Sequence, residues 1–136
     1  MTPADVAALL ADEFPQCTAE VVDVAHGRAR VRQAITTAHL RPGGTVSGPT
    51  TMALADVGAY VAVLGAIGPV PLTVTTSLTI SFLRKPRADR ALVCDAELLK
   101  LGRRLAVADV RVRSEGEEPL VAQGTVTYAI PERRGT

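Results

Sequence analysis

Two patterns divide this chain. From "LTVTTSLTISF" onward, apolar and polar residues alternate with the period of two that marks a half-buried strand: Leu72, Val74, Leu78, Ile80 and Phe82 on one face, Thr73, Thr75, Ser77, Thr79 and Ser81 on the other. "RALVCDAELLKL", "RLAVADVRVRS" and "PLVAQGTVTYAI" follow as three further strands, with turns at Leu101-Gly102-Arg103 and Glu115-Gly116, so the second half reads as a meander. The tail "PERRGT" reads as frayed. Upstream, "AEVVDVA" and "RARVRQAI" meet at His26-Gly27 and form a hairpin, preceded by "PADVAALLADEF", a short amphipathic helix with Val6, Leu9 and Leu10 at helical spacing, Thr2 as N-cap and Pro3 at its first position.

Between the hairpin and the alternating strands lies the other pattern. Residues 37–48 carry Pro42, Gly43 and Gly44 and form a loop. Ser47 then caps, and Pro49 opens, a helix running to about Ala66 before Gly68, Pro69 and Pro71 stop it. Met52, Leu54, Val57, Tyr60, Val61, Val63 and Leu64 make this helix apolar nearly all round, the pattern of an element wrapped by other structure, and Ala55, Gly58, Ala59, Ala62 and Gly65 let that structure come close. The sum is an α+β chain, one domain with a curled antiparallel sheet around one long central helix.

Composition narrows the partners. Over 136 residues, Lys plus Arg number 15 against 14 Asp plus Glu, so no overall charge draws the chain to nucleic acid or anionic lipid, and 3% aromatic residues with no Trp leave little for base stacking. The apolar stretch Val57–Ile67 stops short of the about 20 residues a membrane span requires. Cys17 and Cys94 stand far apart without a CxxC, the two histidines, His26 and His39, are too scattered for a metal site, and the first residues lack the basic start of a secretory leader; a reducing cytoplasm and no metal are expected. No GxSxG elbow or phosphate-binding loop is present.

One carboxylate stands apart. Between Arg41 and Arg84 the chain has no Asp, Glu, Lys, Arg or His except Asp56, in "SGPTTMALAD". A charge on a core helix must be paired, hydrogen-bonded or at water; the alternatives are a functional acid or an Asp neutralised by a backbone amide or by Arg41. Gly48, at the helix start where free amides face outward, is a candidate oxyanion donor or simply helix punctuation. Gly48 and Asp56 are separated by eight residues, about 12 Å along a helix, too far to serve one carbonyl. If both act on one substrate, one comes from a second subunit, and the spacing predicts a two-fold dimer with composite sites.

"RPGGTVSGPTTMALADVGAYVAVLGAIG", "TTSLTISFLRKP" and "AELLKLGRRLAVADVRV" together resemble the hotdog-fold acyl-CoA thioesterases, in particular the phenylacetyl-CoA and 4-hydroxybenzoyl-CoA thioesterase group, over roughly residues 15–130. In that family a His-Gly-Gly segment precedes the long helix and an acid follows eight residues after the first glycine, a spacing that Gly48 and Asp56 keep. The resemblance implies an acyl-CoA substrate, no separate cofactor, a homodimer (with pairs of dimers among relatives), a Gly48 amide that polarises the thioester carbonyl, and an Asp56 that attacks it or activates water. Ser47 and Pro49 replace the usual His and second Gly, and Arg41 stands where relatives place an amide; its guanidinium either bonds the carbonyl or neutralises Asp56.

Further substrate-binding candidates each carry an ordinary alternative. Thr75 matches a hydroxyl residue that positions water in relatives, or is one of a solvent-facing stripe, with Thr76 as a substitute. Tyr60, one turn after Asp56, touches the acyl group or merely packs. Arg84, Lys85 and Arg87, and Lys100, Arg103 and Arg104 around a turn, meet the phosphates of coenzyme A or are solvated strand ends. The rival functions are a non-catalytic acyl-CoA binder and a dehydratase or hydratase of the same fold; the His-bearing motifs of the latter are not visible.

Overall fold

The computed structural model describes residues 1–70 and 73–132; the readings placed on Pro71, Leu72 and residues 133–136 lie outside them. Helix α1, Pro3–Glu13, starts as the sequence predicts: Thr2 Oγ1 accepts from Asp5 N–H at 3.1 Å while the Asp5 carboxylate accepts from Thr2 N–H at 2.9 Å, closing a capping box around Pro3. The hairpin follows as β1 (Glu20–Ala25) and β2 (Arg28–Gln33), with Gly27 at φ +71° supplying the turn. Helix α2 spans Gly48–Ile67, its first turn closed by Ser47 Oγ, which accepts from Thr50 N–H at 3.2 Å.

Strands β3 (Val74–Phe82), β4 (Leu92–Leu101), β5 (Leu105–Ser114) and β6 (Ala122–Ala129) complete one antiparallel sheet, in the order β1-β2-β4-β5-β6-β3. Only β4, β5 and β6 are joined as a plain meander. The expectation of four consecutive neighbours fails at β3, which pairs with β6 and not with β4. Residues 83–91 carry the chain from the sheet edge back to its middle, so β3 is left as an edge strand.

The sheet curls around α2, the hotdog arrangement. Alternate residues of β5 and β6 (Ala106, Ala108, Val110, Val112, Val126, Tyr128) point inward onto Leu54, Ala55, Val61, Ala62 and Leu64 of the helix. The small residues set the distance. A Cβ at Gly58 would stand 2.8 Å from Cys94 Sγ, and one at Gly65 would stand 2.3 Å from the Ala25 carbonyl oxygen. Burial pushes the Cys94 thiol up to about 12, so it packs as a small apolar group.

The wrapping is incomplete, which the apolar pattern of α2 did not foretell. Pro49, Met52, Ala53 and the half-buried Asp56, at spacings of three and four, form an uncovered stripe beside β3. Strand β3 has no buried residue, and Val74, Phe82 and Leu83 are each more than half exposed. By length and hydropathy α2 is able to cross a bilayer, since the helix is 20 residues long and not merely its apolar second half, but 56% of its apolar window is buried within the chain, as in a core helix.

Candidate active site

Asp56 lies midway along α2, where its uncovered stripe meets the sheet edge. Two hydroxyls reach it from adjacent strands. Thr75 Oγ1 donates to Asp56 Oδ1 at 2.7 Å, and Tyr128 Oη lies 2.5 Å from that same oxygen and 2.7 Å from the Asp56 carbonyl oxygen. Among the described residues Asp56 Oδ2 has no hydrogen-bond donor. The carboxylate is thus held by one oxygen and open at the other.

Thr75 arrives there through a bulge. Thr75 pairs with Tyr128 and Leu78 with Val126, so two inward positions on β6 face residues three apart on β3; Thr76 is the extra residue, its hydroxyl donating to the Thr127 carbonyl at 3.3 Å. The alternation expected for β3, with Thr76 as an interruption of one apolar face, is therefore corrected to two faces that change over at Thr76. Thr75 shares the inner side with Leu78, Ile80 and Phe82, Val74 leaves it, and Thr76 is not brought to Asp56. Thr73, assigned to the same polar face, is 5% exposed, and its hydroxyl has no partner among the described residues.

A cleft of about 390 Å³ opens beside the carboxylate, lined by Asp56, Tyr60, Thr73, Thr75 and Tyr128, with Glu13 and Phe14 from the end of α1. Tyr60 is therefore on the Asp56 face, its ring stacked on that of Tyr128 with centroids 5.9 Å apart. Burial above all, then the Asp56 charge and the bond to it, push the Tyr128 hydroxyl well above its ordinary value, which keeps it a donor. Burial, with the charge of Glu13, also raises Tyr60.

The helix start is a separate place. Gly48 occupies the first helical position, where an amide has no intrahelical acceptor, and among the described residues none pairs with it. Ser47 closes the cap with Thr50, and its amide donates to the His39 carbonyl at 2.9 Å. The Phe82 ring lies against Gly48, 3.6 Å from where a Cβ would sit, so β3 runs antiparallel to α2 and brings Arg84 and Lys85 to this end of the molecule.

Arg41 is exposed in the loop before α2, where its backbone closes a small turn with Thr45 and Gly44, and none of the recorded ion pairs joins it to Asp56. Within one copy of the chain, Arg41 therefore does not pair with Asp56. Arg103 and Arg104 line a different cavity of about 320 Å³, with Ile67 and Glu132, where Arg104 pairs with Glu132 at 3.4 Å. The two basic groups therefore lie at opposite ends of α2 and do not form one patch. Among the described residues no three His, Cys, Asp or Glu side chains are grouped to hold a metal.

Tyr128 was absent from the sequence-derived site. The available signal was its inward parity with Val126 in "GTVTYAI", next to an inner face otherwise filled by small and aliphatic residues. Nothing local tied it to Asp56, because that depends on β6 lying beside β3.

Against known proteins, the description "thioesterase superfamily" matches residues 43–121, more than half of the chain and including Gly48, Asp56 and Thr75. The chain belongs to the thioesterase superfamily. Among solved structures, this thioesterase-family chain is 45% identical to a candidate thioesterase from Silicibacter sp. TM1040, with a TM-score of 0.89 over 97% of this chain and 93% of that one. It is 30% identical to the phenylacetic acid degradation protein PaaI of Thermus thermophilus, solved as a mutant, with a TM-score of 0.75 over 87% and 97% of the two chains. A hypothetical thioesterase of Streptococcus pneumoniae TIGR4, solved with coenzyme A, shares the fold at 21% identity and a TM-score of 0.78, over 97% and 98%. A search of curated proteins returns no match.

Proposed function

We propose that this protein hydrolyses an acyl-CoA thioester to the free acid and coenzyme A at a site shared by two copies of the chain, with Asp56 as the general base. The observation that carries the reading is the anchored carboxylate: among the described residues two hydroxyls on Oδ1 and none on Oδ2, at the mouth of a cleft. Oδ2 takes a proton from water, and the water oxygen adds to the thioester carbon. The resulting oxyanion faces the Gly48 amide, where helix-end N–H groups stabilise the developing charge. Collapse breaks the carbon–sulfur bond, and the proton held by Asp56 leaves with the CoA thiol. Thr75, having given its hydrogen to Asp56, has lone pairs left to accept one from that water.

Gly48 and Asp56 of one chain stand eight helical residues apart, about 12 Å, so the amide and the base come from different copies. The uncovered edge of β3, its exposed Val74, Phe82 and Leu83, and the open stripe of α2 supply the surface that a second copy covers. Arg84 and Lys85, just beyond Phe82, then lie at the Gly48 end of each composite site and meet the CoA phosphates.

The test is Asp56→Asn, assayed by thiol release across a panel of aryl and aliphatic CoA esters. Loss of about 10²–10⁴-fold in kcat is expected for removal of a general base. Retained turnover removes Asp56 from the mechanism, and saturable CoA-ester binding without thiol release by the unaltered chain makes it a binding protein. In a single turnover in ¹⁸O-labelled water, label in the enzyme marks Asp56 as a nucleophile whose anhydride opens at its own carboxyl carbon; with label in the acid product, a trapped acyl-enzyme marks the nucleophile and its absence the base.

A further inference from the structure

We infer that Tyr128 is a positioning residue for this reaction: together with Thr75 it pins Oδ1 of Asp56 and so directs Oδ2 at the water. The inference rests on the proposed hydrolysis. Tyr128 sits on β6 directly opposite Thr75 on β3, and the bulge at Thr76 turns both hydroxyls onto one oxygen. Its hydroxyl has one hydrogen and two acceptors in reach, the carboxylate at 2.5 Å and the Asp56 carbonyl at 2.7 Å. The charged acceptor takes it, because a bond to a carboxylate is about twice as strong as one to a neutral oxygen, and the helical carbonyl already has its own amide partner.

Packing alone does not account for the hydroxyl. The Tyr128 ring is 3% exposed and stacked on Tyr60, and a phenylalanine would fill that place without carrying a polar atom into it. With two donors on one side of the carboxylate, rotation about the Asp56 side chain is blocked and the two oxygens are no longer equivalent. A base displaced by about 1 Å loses up to about 100-fold in rate, which is the scale on which such pinning matters.

Among the described residues the other titratable groups around the cleft are Tyr60 on α2 and Glu13 at the end of α1, and no Arg, Lys or His lines it. Removing the Tyr128 donor therefore leaves Thr75 as the one described side chain donating to Asp56, and the carboxylate free to turn. Tyr128→Phe should lower kcat about tenfold with KM little changed. Replacing Tyr128 with 3,5-difluorotyrosine, which keeps the donor in nearly the same shape, should retain kcat near that of the parent. In an Asp56→Asn background, Tyr128→Phe should cause no further loss.

An unchanged kcat in Tyr128→Phe overturns the inference, as does a further loss of the same size when Tyr128→Phe is added to Asp56→Asn. If Asp56→Asn itself retains turnover, the proposed hydrolysis fails. If Asp56→Asn loses turnover and Tyr128→Phe keeps the parent kcat, the positioning role alone fails.

Discussion

Gly65 tests whether the close approach of helix and sheet holds the site together. A Cβ built there lies 2.3 Å from the Ala25 carbonyl oxygen, 2.9 Å from Val24 Cγ2 and 3.3 Å from the Ala25 carbonyl carbon. A comfortable carbon–oxygen contact is about 3.3 Å, so the overlap is about 1 Å. It is made with backbone at the end of β1, which cannot rotate away as a long side chain would. In Gly65→Ala, α2 and β1 must therefore part locally, and overpacking of this kind costs about 1–3 kcal/mol. Against it stands the better helix propensity of alanine, at most about 1 kcal/mol and less in a last turn. Net destabilisation of about 1–2 kcal/mol follows, read as a fall of about 0.5–1 M in the urea midpoint by far-UV circular dichroism with an unchanged slope. A midpoint that stays put or rises would mean that helix propensity governs and that the helix–sheet separation is softer than the geometry implies.

The site and its second copy give two further tests. Thr75→Val keeps the shape of the bulged residue and removes its donor to Asp56, so kcat should fall about tenfold while the melting temperature barely moves; an unchanged kcat would return Thr75 to a packing role. Phe82→Asp places a charge on the exposed end of β3 beside Gly48, and sedimentation should show dissociation to monomers together with a loss of more than about 100-fold in kcat/KM. A fully active monomer would refute the composite site.

How much of this was legible depends on the range over which each feature is encoded. The start of α2 is local: Ser47, Gly48 and Pro49 form a cap whose hydrogen bond to Thr50 lies within one turn, so the sequence reveals it. The burial of β5 and β6 is also local, one residue in two with nothing interrupting. The bulge at Thr76 is not, because one extra residue in a run of Thr and Ser leaves the composition unchanged while reversing which hydroxyl faces the helix. The place of β3 beside β6 is likewise invisible to periodicity. Its trace is a connection of nine residues before β4, too long for the tight turn that adjacent strands favour.

The same division separates Asp56 from its partners. A carboxylate alone between Arg41 and Arg84 is conspicuous because a charge near a core costs free energy wherever the chain puts it, so its presence calls for a cause before any fold is known. Hydroxyls cost little and are common; Thr75 and Tyr128 become meaningful only once β3 and β6 are paired and both inward positions point at α2. The acid therefore marks where to look, while its chemistry is set by register. A one-residue slip of β3 on β6 would leave composition and helix intact, but it would turn Leu78 and Ile80 away from the core and take Thr75 from Asp56. Sheet edges tolerate such slips unless something pins them, and here the bulge at Thr76, the inward Leu78 and Ile80, and the proposed second copy along the open edge of β3 all fix the same register. Assembly and catalytic geometry would then depend on a single strand pairing, which is why a charge at Phe82, seven residues from Thr75, should weaken both together.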